Sequence, residues 1–277
     1  MKNFTIRLLT GIVYVGIITG GVIYSSYTFL ALFMIITMFC LREFYSLVNA
    51  HKEMKINLYI HGGGGVVLFL TVFLFVSGTA GRFIFSFYLL YIVGTLIWEL
   101  YDKQNNPIIR LGYIFFGQIY IALPFSVLNL PAFPDSGGSH PVYRWIWILA
   151  LLLFIWANDT GAYLIGVRFG KHRLWERISP KKSWEGFFGG LAFAIVVAFI
   201  FAHFHSQIAG YHWIILSVTV VVFSTYGDLV ESLLKRTLEV KDSGHSLPGH
   251  GGFLDRFDSL LLAVYAVLFY MELFIQN

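Results

Sequence analysis

The stretch Leu8–Leu41, LLTGIVYVGIITGGVIYSSYTFLALFMIITMFCL, runs for 34 residues without an Asp, Glu, Lys or Arg. As one helix it would reach about 51 Å at 1.5 Å per residue, whereas the hydrocarbon layer of a bilayer is about 30 Å thick. The run therefore has to fold back, most simply at Ser25-Ser26. The 42 uncharged residues from Gly186 to Gly227 demand the same treatment, with the break between His203 and His212. Ile56–Ser77, Phe83–Leu100, Ile109–Leu130, Trp145–Val167 and Ser259–Gln276 complete the set. The expected fold class is all-α: a polytopic integral membrane protein of about nine transmembrane helices with its N-terminus in the cytoplasm.

Composition and charge placement agree with this reading. Of 277 residues, 57% are hydrophobic and only 12% charged, about half the charged fraction of a soluble domain. Such a chain is not an ordinary soluble enzyme, a disordered segment or an extended nucleic-acid binder, so no nucleic-acid partner is expected. With nine spans, 17 of the 19 Lys and Arg fall on the side of the N-terminus, and only Arg82 and Arg144 on the other. That is the bias cytoplasmic loops carry. Lys2 and Arg7 resemble the start of a signal peptide, but no clear small-residue cleavage pattern follows, so a retained first helix is expected. The organisation is then residues 1–140, with five spans, followed by residues 141–277, with four spans and two polar cytoplasmic loops at about 168–184 and 230–258. The single Cys40 excludes an internal disulfide or a thiolate zinc cluster.

Ionisable groups in or beside spans are costly and usually face a wet cavity. Asp159, in Asn158-Asp159-Thr160-Gly161, lies near the cytoplasmic end of the sixth span, and Asp228 where the eighth reaches the cytoplasm. If that helix continues, Asp228, Ser232 and Lys235 share one face, while Glu231 and Lys235 form a surface i,i+4 pair. Beyond it come Lys241-Asp242-Ser243-Gly244, Pro248-Gly249-His250-Gly251-Gly252 and Asp255-Arg256-Phe257-Asp258. The glycines at 249, 251 and 252 allow positive φ, so successive amides can form an anion-binding nest. Asp258 is either a helix N-cap or an additional acid; Asp255, three residues earlier, can point toward Asp228. Acids from different helices, with oxygen-only ligation, suit Mg2+. In the other polar loop, Lys181 and Lys182 follow Pro180 at a helix start, where phosphate binding rivals simple attraction to anionic headgroups. The small-residue run Gly62–Gly65 is read as helix packing.

The stretch from Ser232 through Lys235-Arg236, Lys241-Asp242-Ser243-Gly244 and Leu247–Asp258 closely resembles the signature of the CDP-diacylglycerol synthase (phosphatidate cytidylyltransferase) family, with no departure from its pattern. The Asn158–Tyr163 and Ser179–Gly186 segments are similar to that family's as well, so the resemblance covers about the C-terminal half. It implies transfer of a cytidylyl group from CTP to phosphatidic acid within a bilayer, at the cytoplasmic face of a bacterial inner membrane. It further implies a Mg2+-dependent centre, with or without a second cation, in a homodimer. On this resemblance Asp228 and Asp255 are expected as metal ligands, with Asp159 and Asp258 as additional acids. Lys235, Arg236, Lys241, His250 and Arg256 are expected on phosphates, and Ser232 orients a ligand or substrate. Lys181, Lys182, Asn158, Gly251 and Gly252 are expected to bind substrate, and Asp242 joins the catalytic set. A related CTP-dependent lipid kinase or an archaeal-lipid cytidylyltransferase, and from another class a transporter, are the alternatives.

Overall fold

The computed structural model describes residues 2–52, 54–102, 106–135, 141–206, 208–240, 243–244 and 251–275. Its helices are α1 (Lys2–Tyr24), α2 (Ser26–Lys52), α3 (Leu58–Val76), α4 (Phe85–Tyr101), α5 (Pro107–Gly117), α6 (Leu123–Val127), α7 (Asn129–Ala132), α8 (Trp145–Phe169), α9 (Trp184–Phe204), α10 (Gly210–Thr237) and α11 (Leu254–Phe274). A π-helical turn, Gln118–Ala122, joins α5 to α6, so that Pro107–Ala132 makes one span. Among the described residues eight helices are long and apolar enough to cross a bilayer, and the apolar part of α1, Thr10–Tyr24, stands beside them. The protein is an all-α polytopic membrane protein.

The expected folds-back occur where small polar residues can replace the helix ladder. At the first, Ser25 alone separates α1 from α2. Its Oγ accepts from Thr28 N at 3.1 Å, and Thr28 Oγ1 accepts from Ser25 N at 3.0 Å. This reciprocal capping satisfies amides that the new helix cannot. At the second, α9 ends at Phe204 and α10 starts at Gly210. Asn57 caps α3 through bonds from Tyr59 N and Ile60 N, both 3.1 Å.

By its internal packing the chain divides into two units. One holds residues 1–145 together with 238–256; the other holds 146–237 and 257–277. The core of the first is aromatic, with Phe29, Phe33, Phe69 and Phe125 all fully buried around one another. Gly62 and Gly65 bring α3 close to α2: a side chain at Gly62 would come within 2.6 Å of Met38 Sδ, and one at Gly65 would strike Leu41. Small residues permit this approach, as their sequence suggested. Gln118, in the π turn, donates to Tyr45 Oη at 3.0 Å and to His61 O at 2.7 Å. In the second unit α9 packs along α10, and the stacked Trp147 and Trp213 rings lie 5.1 Å apart.

Two stretches differ from the expected loops. The segment before α9 is an antiparallel hairpin, β1 (Arg173–Trp175) with β2 (Ser179–Ser183), pairing Arg173 with Ser183 and Trp175 with Ser179. Its base is fastened by Glu185, whose carboxylate accepts from Lys171 N at 3.1 Å and His172 N at 3.2 Å. The second loop is shorter than expected, because α10 continues to Thr237 and α11 begins at Leu254. Asp258 therefore lies in the second turn of α11 and is not its N-cap.

Candidate active site

Within the second unit, α10 and α11 meet at Gly227, where a side chain would come within 2.6 Å of Asp258 O. Only a glycine permits this contact, and it sets Asp228 beside Asp258. Glu231 lies one turn after Asp228 on α10, on the same face. Asp228, Glu231 and Asp258 each offer a carboxylate oxygen, and the three oxygens lie within 4.8 Å of one another. Glu231 is fully buried and Asp258 is 9% exposed. Three carboxylates this close repel one another unless cations intervene. Two do: Lys182 Nζ is 2.5 Å from Asp228 Oδ2, and Lys235 Nζ is 2.5 Å from Glu231 Oε2. Ser232 Oγ donates to Asp228 Oδ1 at 3.1 Å.

Asp228 and Lys182 also line a cavity of about 600 Å3, together with Asn158, Asp159, Lys181 and Arg173. Local structure explains how each arrives there. Ser183 caps α9 by accepting from Gly186 N at 3.1 Å, which fixes the end of β2. From β2, Lys182 reaches the acid while Lys181 stays exposed. Asn158 is buried on α8, and its Oδ1 finds no hydrogen-bond donor among the described residues. A buried amide oxygen left in that state costs about 1–3 kcal/mol unless water or a ligand donates to it. Asp159 is exposed on the same helix. The cavity thus offers lysine and arginine side chains from the hairpin, an amide oxygen and a carboxylate from α8, and a second carboxylate from α10. That set suits phosphate groups accompanied by a divalent cation.

The remaining expected residues are described by unit. Gly251, Gly252, Asp255 and Arg256 belong to the first unit. There Asp255 accepts from Ser243 N at 3.1 Å and from Gly252 N at 2.9 Å, while Ser243 Oγ accepts from Asp255 N at 3.3 Å. Gly251 takes the positive φ expected of the loop, 81°. Arg236 is exposed at the end of α10. Lys241, Asp242 and His250, like Gly249, lie outside the described residues.

Sequence reasoning mistook Glu231 for half of a surface ion pair. The pair with Lys235 exists, but the carboxylate is buried and shares its position with two other acids. Its spacing of three from Asp228 was the available signal. Arg173, from the same hairpin as Lys182, also lines the cavity.

The sequence profile of the Cytidylyltransferase family matches residues 5–274. The chain belongs to the cytidylyltransferase family. Among its relatives, the phosphatidate cytidylyltransferase of Haemophilus influenzae is 42% identical over 168 residues, 58% of this chain and 56% of that protein. The protein of the same name from Bacillus subtilis is 39% identical over 184 residues, 65% of each. That of Staphylococcus epidermidis is 50% identical over 123 residues, 43% of this chain and 46% of that protein. The matched stretches thus span about half to two thirds of these curated relatives.

Proposed function

We propose that this protein transfers the cytidylyl group of CTP to phosphatidic acid, giving CDP-diacylglycerol and pyrophosphate. A phosphatidate oxygen attacks the α-phosphorus of CTP, the bond to the β-phosphate breaks, and pyrophosphate leaves. The attacking phosphate is already anionic near neutral pH, so little base assistance is needed; positioning and charge neutralisation carry the rate. The observation that carries this reading is the oxygen-only cluster of Asp228, Glu231 and Asp258, with Asp228 in the wall of a cavity that also holds Lys182.

This donor set fits Mg2+, which takes a few carboxylates and completes its shell with water and substrate phosphates. Asp228, Glu231 and Asp258 would hold it, with Asp159 as a further acid. When bound, the cation neutralises charge gathering on the phosphates. Lys182, Lys181 and Arg173 bind phosphate oxygens, Asn158 accepts from a substrate or a water, and Ser232 orients Asp228. The parts of Lys235, Arg236, Lys241, Asp242, His250, Gly251, Gly252, Asp255 and Arg256 rest on the resemblance of the signature. We place the protein in a bacterial inner membrane with the cavity open to the cytoplasm. The positive-inside charge bias and the bacterial relatives support that placement. The resemblance also suggests a homodimer.

The test is CTP labelled separately in its cytosine and in its γ-phosphate, given to purified protein with phosphatidate and Mg2+. Cytosine label in the lipid product supports the reading. Label from the γ-phosphate alone would make the protein a lipid kinase, and no lipid label would remove the transfer altogether.

A further inference from the structure

Glu43, on α2, is a carboxylate in a spanning helix, 8% exposed and 211 residues away from the backbone it serves. Its Oε2 accepts from Leu254 N at 3.0 Å. Leu254 opens α11, where amides have no partner within the helix and the macrodipole favours an anion. Both described pieces of the signature loop close on the same carboxylate. A side chain at Gly244 would come within 2.8 Å of Glu43 Oε1, and one at Gly252 would strike Oε2. One turn earlier on α2, Phe39 stacks on Phe253 with ring centres 5.0 Å apart and planes 12° apart. The Phe39–Glu43 face of α2 therefore grips Phe253-Leu254, while Asp255 ties Gly252 to Ser243.

We propose that Glu43 is a positioning residue for the cytidylyl-transfer reaction, holding the signature loop and the start of α11 in the geometry the chemistry needs. This rests on the function proposed above. Glu43 touches no reacting atom; it acts through the backbone at Gly244, Gly252 and Leu254. The glycine at 244 is then explained by the carboxylate it must clear, and that at 252 by the same carboxylate together with Ser243 Oγ and the Gly244 backbone.

The experiment compares wild type with Glu43→Ala, Glu43→Gln, Gly244→Ala and the double variant Glu43→Ala/Gly244→Ala. It measures liponucleotide formation and amide hydrogen exchange in detergent. Misplacing reacting groups by about 1 Å can cost on the order of 100-fold. Glu43→Ala should therefore lower kcat by about that factor, with KM for CTP changed far less. Glu43→Gln keeps an acceptor for Leu254 N and should recover most of the loss. Exchange should quicken at Gly252 and Leu254 in Glu43→Ala while the cores of α2 and α11 stay protected. Gly244→Ala should be damaging alone, but should add little in the Glu43→Ala background, where the obstructing carboxylate is gone. Wild-type kcat in Glu43→Ala, or faster loop exchange with unchanged turnover, would overturn the proposal. So would strictly additive losses in the double variant. If wild type formed no liponucleotide the transfer reading would fall, yet exchange at Gly252 and Leu254 would still decide whether Glu43 holds the loop.

Discussion

Replacing Lys182 by Met should tighten divalent-cation binding at the acid cluster while slowing the reaction. Lys182 Nζ lies 2.5 Å from Asp228 Oδ2, and Asp228 shares its neighbourhood with Glu231 and Asp258. A cation ligated by Asp228 has to displace that ammonium and then tolerate it nearby, so removing Lys182 helps on both counts. Two unit charges 4 Å apart near a protein surface interact by about 4 kcal/mol before solvent screening. Lys182 is 25% and Asp228 33% exposed, which brings the net value down to about 1 kcal/mol. About 1 kcal/mol corresponds to about fivefold in affinity. Titration of Mn2+ into purified protein, followed by the loss of its free paramagnetic signal, should show Lys182→Met binding about fivefold more tightly than wild type. Loss of a charge-assisted bond to phosphate, about 1.5–3 kcal/mol, should meanwhile lower kcat/KM for CTP by about 10- to 150-fold. Unchanged or weaker Mn2+ binding in the variant would refute the idea that Lys182 and the cation compete for Asp228.

Glu231→Gln should raise the Mg2+ concentration needed for half-maximal activity by about 10- to 100-fold, the range found even for groups that merely support metal ligands; an unchanged Mg2+ requirement would remove Glu231 from the site. In the first unit, Arg110 is 2% exposed and bridges Glu99 at 2.5 Å and Asp102 at 2.7 Å. Arg110→Met leaves two acids without their cation and should cost about 3–5 kcal/mol of stability, read as a large drop in the unfolding midpoint in detergent. A side chain at Gly190 would strike Asn158 Oδ1 and approach Asn158 O to 2.7 Å. Gly190→Ala should accordingly destabilise by about 1–3 kcal/mol and disturb the cavity wall, and a wild-type unfolding midpoint with wild-type KM would contradict this.

Most of the helical layout was legible because spanning a bilayer constrains a sequence strongly. Leu8–Leu41 is too long for one crossing, and Ser25, whose hydroxyl can cap the next helix, lies at its middle. The hairpin before α9 was not legible: Arg173–Ser183 carries no alternating apolar pattern, and its geometry depends on Glu185 binding backbone amides from across the turn. The acids at 159 and 228 stood out by their place at the cytoplasmic ends of apolar helices, and Asp258 by opening the last of them. Glu231 did not, since an i,i+4 partner at Lys235 offered an ordinary surface explanation that burial then removes. Glu43 could not be recognised at all from local pattern. Its meaning depends on a backbone 211 residues away, brought to it by packing.

The most direct measurement is the initial rate of CDP-diacylglycerol formation by purified wild type and by Asp228→Asn and Asp258→Asn, as a function of Mg2+. Wild type should form the liponucleotide only when Mg2+ is present, and both variants, folded and inserted, should lose at least about 100-fold. Formation at the wild-type rate by either variant would contradict a reaction centred on these acids.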